Sequence, residues 1–151
     1  MLQPEPAPRR RPDSEEAQVA MINRNPIITS AEGPASAARL HEIVSDPNRL
    51  PEWSSLAKKV GPVTGDTLEV EGPEGREFLS YAYDSGENRL VVRAKRDTFP
   101  LEYLFRFRNE AGKIRIEAEI HPGGECTDKE RSTIEQAIRT DLGRLIEKSR
   151  G

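Results

Sequence analysis

The chain has 151 residues, 34% hydrophobic and 32% charged, with a net charge of −3. That length suits one domain with a modest core, and the mixed-sign charge supplies no bulk basic field for nucleic acid. One cysteine, Cys126, excludes an internal disulfide and fits a reducing, cytoplasmic compartment. No apolar run approaches the ~20 residues of a membrane-spanning helix, and no signal-peptide core is present, so no stable membrane insertion is expected.

Residues 1–25 hold Pro4, Pro6, Pro8 and Pro12, the run Arg9-Arg10-Arg11 and the pair Glu15-Glu16. Such a segment buries too little apolar surface to offset its ordering entropy, and a disordered tail is expected. Three arginines without interleaved aromatics read as solvated charge rather than as a handle for nucleic acid or anionic lipid. The remainder, residues 26–151, reads as a single domain.

Pro26 to Glu32 predicts a first strand ended by Gly33-Pro34, with Pro34 placed for the first turn of a helix. Ala37, Leu40, Ile43 and Val44 give that short helix, which stops near Ser45 because Pro47 disfavours helical geometry at Asp46. Asn48 is placed to cap a second, very short helix through Leu50 and Trp53. Six strands follow. Lys58 to Thr64 and Asp66 to Gly72 are separated by Gly65, and Glu77 to Tyr83 turns through Ser85-Gly86-Glu87-Asn88 into Arg89 to Arg96. Pro100 opens the next, in which Leu101, Tyr103, Phe105 and Phe107 share one face and Glu102, Arg106 and Arg108 the other, with Leu104 as the exception. After a turn at Asn109-Glu110-Ala111-Gly112, Ile114, Ile116, Ala118 and Ile120 alternate with charged residues. This is the signature of a sheet with one wet and one buried face.

The last element is a helix from Asp128 to Lys148 with a capping box at Thr127 and Glu130. Ile134, Ala137, Ile138, Leu142, Leu145 and Ile146 form its apolar stripe, and Glu135, Arg139, Asp141, Arg144 and Glu147 its charged face. The predicted fold class is therefore α+β: an antiparallel sheet in β-α-α-β6-α order, curved around a long C-terminal helix.

These residues resemble the START and birch-pollen-allergen-like helix-grip superfamily, in its bacterial polyketide cyclase/dehydratase and lipid-transport branch. Two segments carry the likeness beyond topology. Val44-Ser45-Asp46-Pro47-Asn48-Arg49-Leu50-Pro51-Glu52-Trp53 looks like the family's link between two short helices. Thr140-Asp141-Leu142-Gly143-Arg144-Leu145 looks like its late-helix pattern. The resemblance covers about residues 26–149. It implies a cavity between sheet and helix that holds a small apolar or amphipathic molecule. On that implication the candidate ligand-binding residues are Trp53, Tyr81, Tyr103, Phe105, Ile116, Ile138, Leu142 and Leu145. Small residues on the expected cavity side (Ser80, Ala82, Ala94, Ala118) leave room for a modest pocket, while Phe105, Phe107 and the helix stripe are able to fill it. Trp53 reads either as a residue at the cavity mouth or as a packing anchor for the helix pair.

Chemistry beyond binding is sparse. His41 and His121 have no second ligand at metal spacing, so neither a metal nor another cofactor is expected. Cys126 sits just before a helix start, where a thiol can have a lowered pKa, and His121 with Cys126 could form a Cys–His arrangement, although no orienting third group is evident. Tyr81, Tyr83 and Tyr103 could present phenols to a ligand or serve simply as strand residues. Alternation places Arg93 in solvent. Arg106, Arg108, Lys113 and Arg115 alternate with acids on the outer sheet face and need no nucleic acid to explain them.

Three functions fit. The first is a module binding a small hydrophobic ligand, lipid-like or polyketide-like, as a monomer by default. The second is an enzyme of the polyketide cyclase/aromatase type, with a tyrosine or arginine promoting enolisation. The third is a protein-interaction module with a filled core. A pocket without convergent polar groups favours the first, a buried titratable cluster the second, and an exposed apolar patch the third.

Overall fold

The computed structural model describes residues 25–73, 75–95 and 101–150. The expected tail up to residue 24, Arg96 and Pro100 lie outside the described residues. In chain order the elements are β1 (Ile27–Pro34), α1 (Ala37–Val44), a 3-10 helix (Pro47–Glu52), β2 (Lys59–Thr64), β3 (Thr67–Gly72), β4 (Gly75–Asp84), β5 (Arg89–Lys95), β6 (Leu101–Glu110), β7 (Lys113–Pro122) and α2 (Asp128–Lys148). The strands form one antiparallel sheet in the order β1-β7-β6-β5-β4-β3-β2. Strands β2 to β7 make a meander, and β1 joins at its far end, from Ile27 opposite Ile120 to Pro34 opposite Lys113. The result is the expected α+β layer: a curved sheet with a long C-terminal helix.

Alternation decides the faces. Leu101, Tyr103, Phe105 and Phe107 of β6 are buried, as are Ile114, Ile116, Ala118 and Ile120 of β7. Their neighbours on the other face form ion pairs across strands, Arg106 with Glu119 at 3.3 Å, Arg115 with Glu32 at 3.2 Å and Lys113 with Glu32 at 3.7 Å. Arg93 is exposed and pairs with Glu102. Exposed pairs contribute about 0–1 kcal/mol each. Apolar burial at roughly 25 cal/mol per Å² on the opposite face holds the sheet instead.

Four local expectations change. Ser80 and Ala82 lie on the outer face, because Leu79 and Tyr81 between them take the core; Ala94 and Ala118 do face inward. Pro34 ends β1 rather than opening α1, and an edge strand tolerates its missing N–H. Ser36 takes the N-cap of α1, accepting from the Arg39 N–H at 3.2 Å. Asp46, not Asn48, caps the 3-10 helix, accepting from the Asn48 N–H at 3.0 Å. Finally, Asn109 and Glu110 continue β6, and the hairpin closes on Ala111-Gly112 at φ of 50° and 82°, positive values that match the twist of the flanking strands.

Helix α2 has its capping box: the Thr127 hydroxyl accepts from the Glu130 N–H at 3.2 Å, and the Glu130 carboxylate accepts from the Thr127 N–H at 2.8 Å. Ile138, Leu142, Leu145 and Ile146 are buried. At Gly33 of β1 a Cβ would lie 3.1 Å from Ile146 Cγ2, so glycine permits the close approach of strand and helix there. The Ser36 N–H donates to the Ser149 carbonyl at 2.8 Å, closing the same end. Thr127→Ala removes half of the capping box. It is expected to lower stability by about 1 kcal/mol in urea unfolding, with an unchanged circular dichroism spectrum.

Candidate functional site

The apolar stripe of α2 is covered unevenly. Its C-terminal half, Leu142, Leu145 and Ile146, is buried between the sheet and the neighbouring elements, whereas Ile134 and Ala137 near the N-terminal end remain partly exposed. The uncovered part faces Leu101 and Tyr103 at the start of β6, with Leu56 and Pro73 as the opposite wall. Together with Ile138 they enclose a pocket of about 390 Å³, with Ser55, Lys129, Glu130 and Thr133 as its polar lining. That volume is in the range of small-ligand sites.

Behind the pocket the core is packed. Trp53 is fully buried and stands edge-on to Phe105, with ring centroids 5.7 Å apart and planes at 84°. Phe105 in turn stacks near-parallel with Tyr103 at 6.4 Å. The Tyr81 hydroxyl donates to the Val44 carbonyl, tying β4 to the end of α1, and burial raises its pKa above the usual phenol value. Of the candidate ligand residues, Tyr103 and Ile138 line the pocket. Trp53, Tyr81, Phe105, Ile116, Leu142 and Leu145 lie in the core and do not line it. The apolar lining residues absent from that set are Leu56 and Pro73, which sit in irregular connections without periodicity, and Leu101, Ile134 and Ala137. The last three were visible as apolar positions on β6 and α2, but nothing in their spacing marks which end of a stripe stays open.

Asp141 changes face. Expected among the solvated charges of α2, its side chain is 1% exposed. Its Oδ2 accepts from both the backbone N–H and the hydroxyl of Ser55, each at 2.9 Å. Arg144 donates to the Trp53 carbonyl at 3.3 Å and lies 3.5 Å from Asp141 Oδ1. The late-helix segment thus grips the corner that follows the 3-10 helix. Burial pushes the Asp141 carboxyl above its ordinary value, opposed by the two Ser55 hydrogen bonds and the Arg144 charge. Among the described residues, Asp141 Oδ1 and Trp53 Nε1 are the buried side-chain polar atoms without a hydrogen-bond partner.

The remaining chemical candidates are dispersed. His41 Nδ1 meets the Tyr83 hydroxyl at 3.0 Å, and His121 Nε2 meets Glu119 at 2.7 Å. Cys126 is buried, and burial raises its thiol pKa, which disfavours an activated thiol and agrees with a plain free cysteine. Among the described residues, no group of His, Cys, Asp and Glu is placed to hold a metal ion. No helix among them is long and apolar enough to cross a membrane.

No protein-family model and no curated protein matches the chain by sequence. Solved structures do match its fold. A START superfamily protein from Mycobacterium smegmatis is 18% identical with a TM-score of 0.55, covering 82% of this chain and 93% of that one. The protein XoxI from Bacillus cereus is 12% identical with a TM-score of 0.65, over 83% and 95% of the two chains. The di-domain ARO/CYC protein StfQ of the steffimycin biosynthetic pathway is 11% identical with a TM-score of 0.66, over 81% of this chain and 44% of its own. This chain therefore spans under half of that di-domain protein. The chain has the START-like helix-grip fold of these structures.

The clamp yields two expectations. Asp141→Ala strands the Ser55 donors and the nearby Arg144, and should cost about 2–4 kcal/mol in urea unfolding. With its folded pKa raised above the ordinary carboxyl value, Asp141 takes up a proton more readily in the folded chain than in the unfolded one. Its contribution to stability should therefore fall as pH rises from the unfolded value through the raised folded value. Unfolding free energies of the native chain and Asp141→Asn, measured across that acidic window, should diverge to the native chain's disadvantage as pH increases. Parallel curves would contradict a raised pKa.

Proposed function

We propose that this protein binds a small apolar or amphipathic molecule in the pocket between the N-terminal half of α2, the start of β6 and the Leu56–Pro73 wall. The observation that carries this reading is the incompletely covered stripe. Ile134 and Ala137 stay partly exposed opposite Leu101 and Tyr103, where a packed protein would ordinarily bury them. A ligand entering there removes the remaining apolar surface from water, at roughly 25 cal/mol per Å². The packed aromatic layer of Trp53 and Phe105 behind the pocket limits the ligand to a short chain or a small ring system.

The polar lining supports binding over catalysis. The Glu130 carboxylate accepts the Thr127 N–H and is committed to the helix cap. Tyr103 is the one phenol on the pocket wall, and it is the group a cyclase/aromatase-type reaction would use. Among the described residues, the large exposed apolar ones, Ile28, Val63 and Phe78, are distributed over β1, β2 and β4, which gives less support to a protein-docking surface. We further place the protein in the cytoplasm, on its lone cysteine, acting without nucleic acid or membrane insertion.

Ala137→Trp fills the pocket from a partly exposed helix position. Native mass spectrometry of the purified protein should show a dissociable small-molecule mass that this variant lacks, with a melting temperature within a few degrees of the parent. Retention of the same adduct by the variant would place the ligand elsewhere.

A further inference from the structure

We infer that β1 is an interaction edge, along which a second copy of this chain pairs antiparallel about a twofold axis at Ser30. The two ends of the sheet differ. Strands β1 and β2 are outermost, and an edge strand carries a row of backbone donors and acceptors that another strand can satisfy. The β2 edge is guarded. Lys59 opens it, Gly61 and Pro62 interrupt it, and its register against β3 shifts between Val60 and Val63. Between Ile27 and Gly33, β1 has none of these devices. Its register against β7 runs unbroken from Ile27 opposite Ile120 to Pro34 opposite Lys113, and its Ile28 is 66% exposed.

Alternation along β1 fixes which backbone groups are free. The Ala35 N–H donates to the Gly112 carbonyl at 3.4 Å, one step beyond the Pro34–Lys113 pair. Successive residues of a strand send their N–H and C=O to opposite sides, so Ile27, Thr29, Ala31 and Gly33 serve β7. Ile28, Ser30 and Glu32 turn theirs to the open side, where no partner meets them among the described residues. Pro26 and Pro34 bracket this run, each without an N–H to leave unpaired, and the Pro26 carbonyl already accepts from Arg131 at 3.3 Å. The free groups are therefore symmetric about Ser30.

That symmetry selects a second copy as the occupant. Turned about an axis at Ser30, the copy sets its Glu32 against Ile28, its Ser30 against Ser30 and its Ile28 against Glu32. Each facing pair exchanges two hydrogen bonds. Moving the axis toward either proline sets a carbonyl against a ring nitrogen and loses bonds. Charge permits the approach. Glu32 is neutralised within its own chain by Arg115 at 3.2 Å and Lys113 at 3.7 Å, and across the axis it meets an isoleucine.

Sedimentation of the full chain over a concentration series should show a monomer–dimer equilibrium. Ser30→Lys should raise its dissociation constant about fivefold, through like charges directly opposed at the axis. Ser30→Cys should cross-link two chains on mild oxidation, because facing residues of a hydrogen-bonded pair stand ~5.5 Å apart, within disulfide reach. Val63→Cys on β2 should not, and the buried Cys126 gives both variants the same background. A monomer at every concentration, a dimer indifferent to Ser30→Lys, or equal cross-linking from both cysteines overturns the pairing. Slow hydrogen exchange of the Ile28, Ser30 and Glu32 amides in a monomer would give the edge to another segment of the same chain, and overturns it as well.

Discussion

A buried carboxylate on the long helix sets the geometry on which the rest of the domain depends. Asp141 is one position from Leu142 in the core stripe, yet it turns to accept two hydrogen bonds from Ser55, 86 residues earlier in the chain. That grip fixes the corner following the 3-10 helix, which in turn carries Trp53 into the centre of the core and Leu56 into the pocket wall. Removing a carboxylate from water is expensive, and its attraction to Arg144 is only partial compensation at 3.5 Å. The energetic return comes from what the grip places. Trp53 is completely buried against Phe105, and truncating such an aromatic typically costs about 3–5 kcal/mol.

The same constraint explains why the domain is closed at one end and open at the other. At the C-terminal end of α2, Gly33 lets β1 approach Ile146, and the Ser36–Ser149 hydrogen bond seals the contact with the start of α1. At the N-terminal end the helix is anchored mainly through its own cap at Thr127 and through Arg131, which donates to the Asn25 carbonyl. The wall facing the pocket there is made from irregular chain, Leu56 and Pro73, rather than from a packed element. Apolar surface left uncovered in this way costs folding energy, and under the proposed function a bound ligand would recover it.

Much of the architecture was legible from period alone. Alternation along Leu101–Phe107 and Ile114–Ile120 assigned the buried face of β6 and β7, and the capping box located the start of α2. Legibility failed where two local signals competed. On β4, Ser80 and Ala82 alternate as regularly as Leu79 and Tyr81, and only tertiary burial separates the sets. Pro34 fits both a strand end and a helix start. Asp141 resembles any charged residue on a helix flank, because its partner Ser55 is remote in sequence and has no periodic signature. The pocket is the least legible feature: Tyr103 and Phe105 are equivalent in pattern, but one lines the cavity and the other fills the space behind it.

The pocket stops at the packed Trp53–Phe105 layer. The most direct measurement is a methyl-resolved NMR titration of the full chain with octan-1-ol. Shifts should concentrate at Leu56, Leu101, Ile134, Ala137 and Ile138, leaving Ile116, Leu142 and Leu145 unmoved. Perturbations spreading through Leu142 and Leu145 would show an open cavity running the length of the helix and contradict the account.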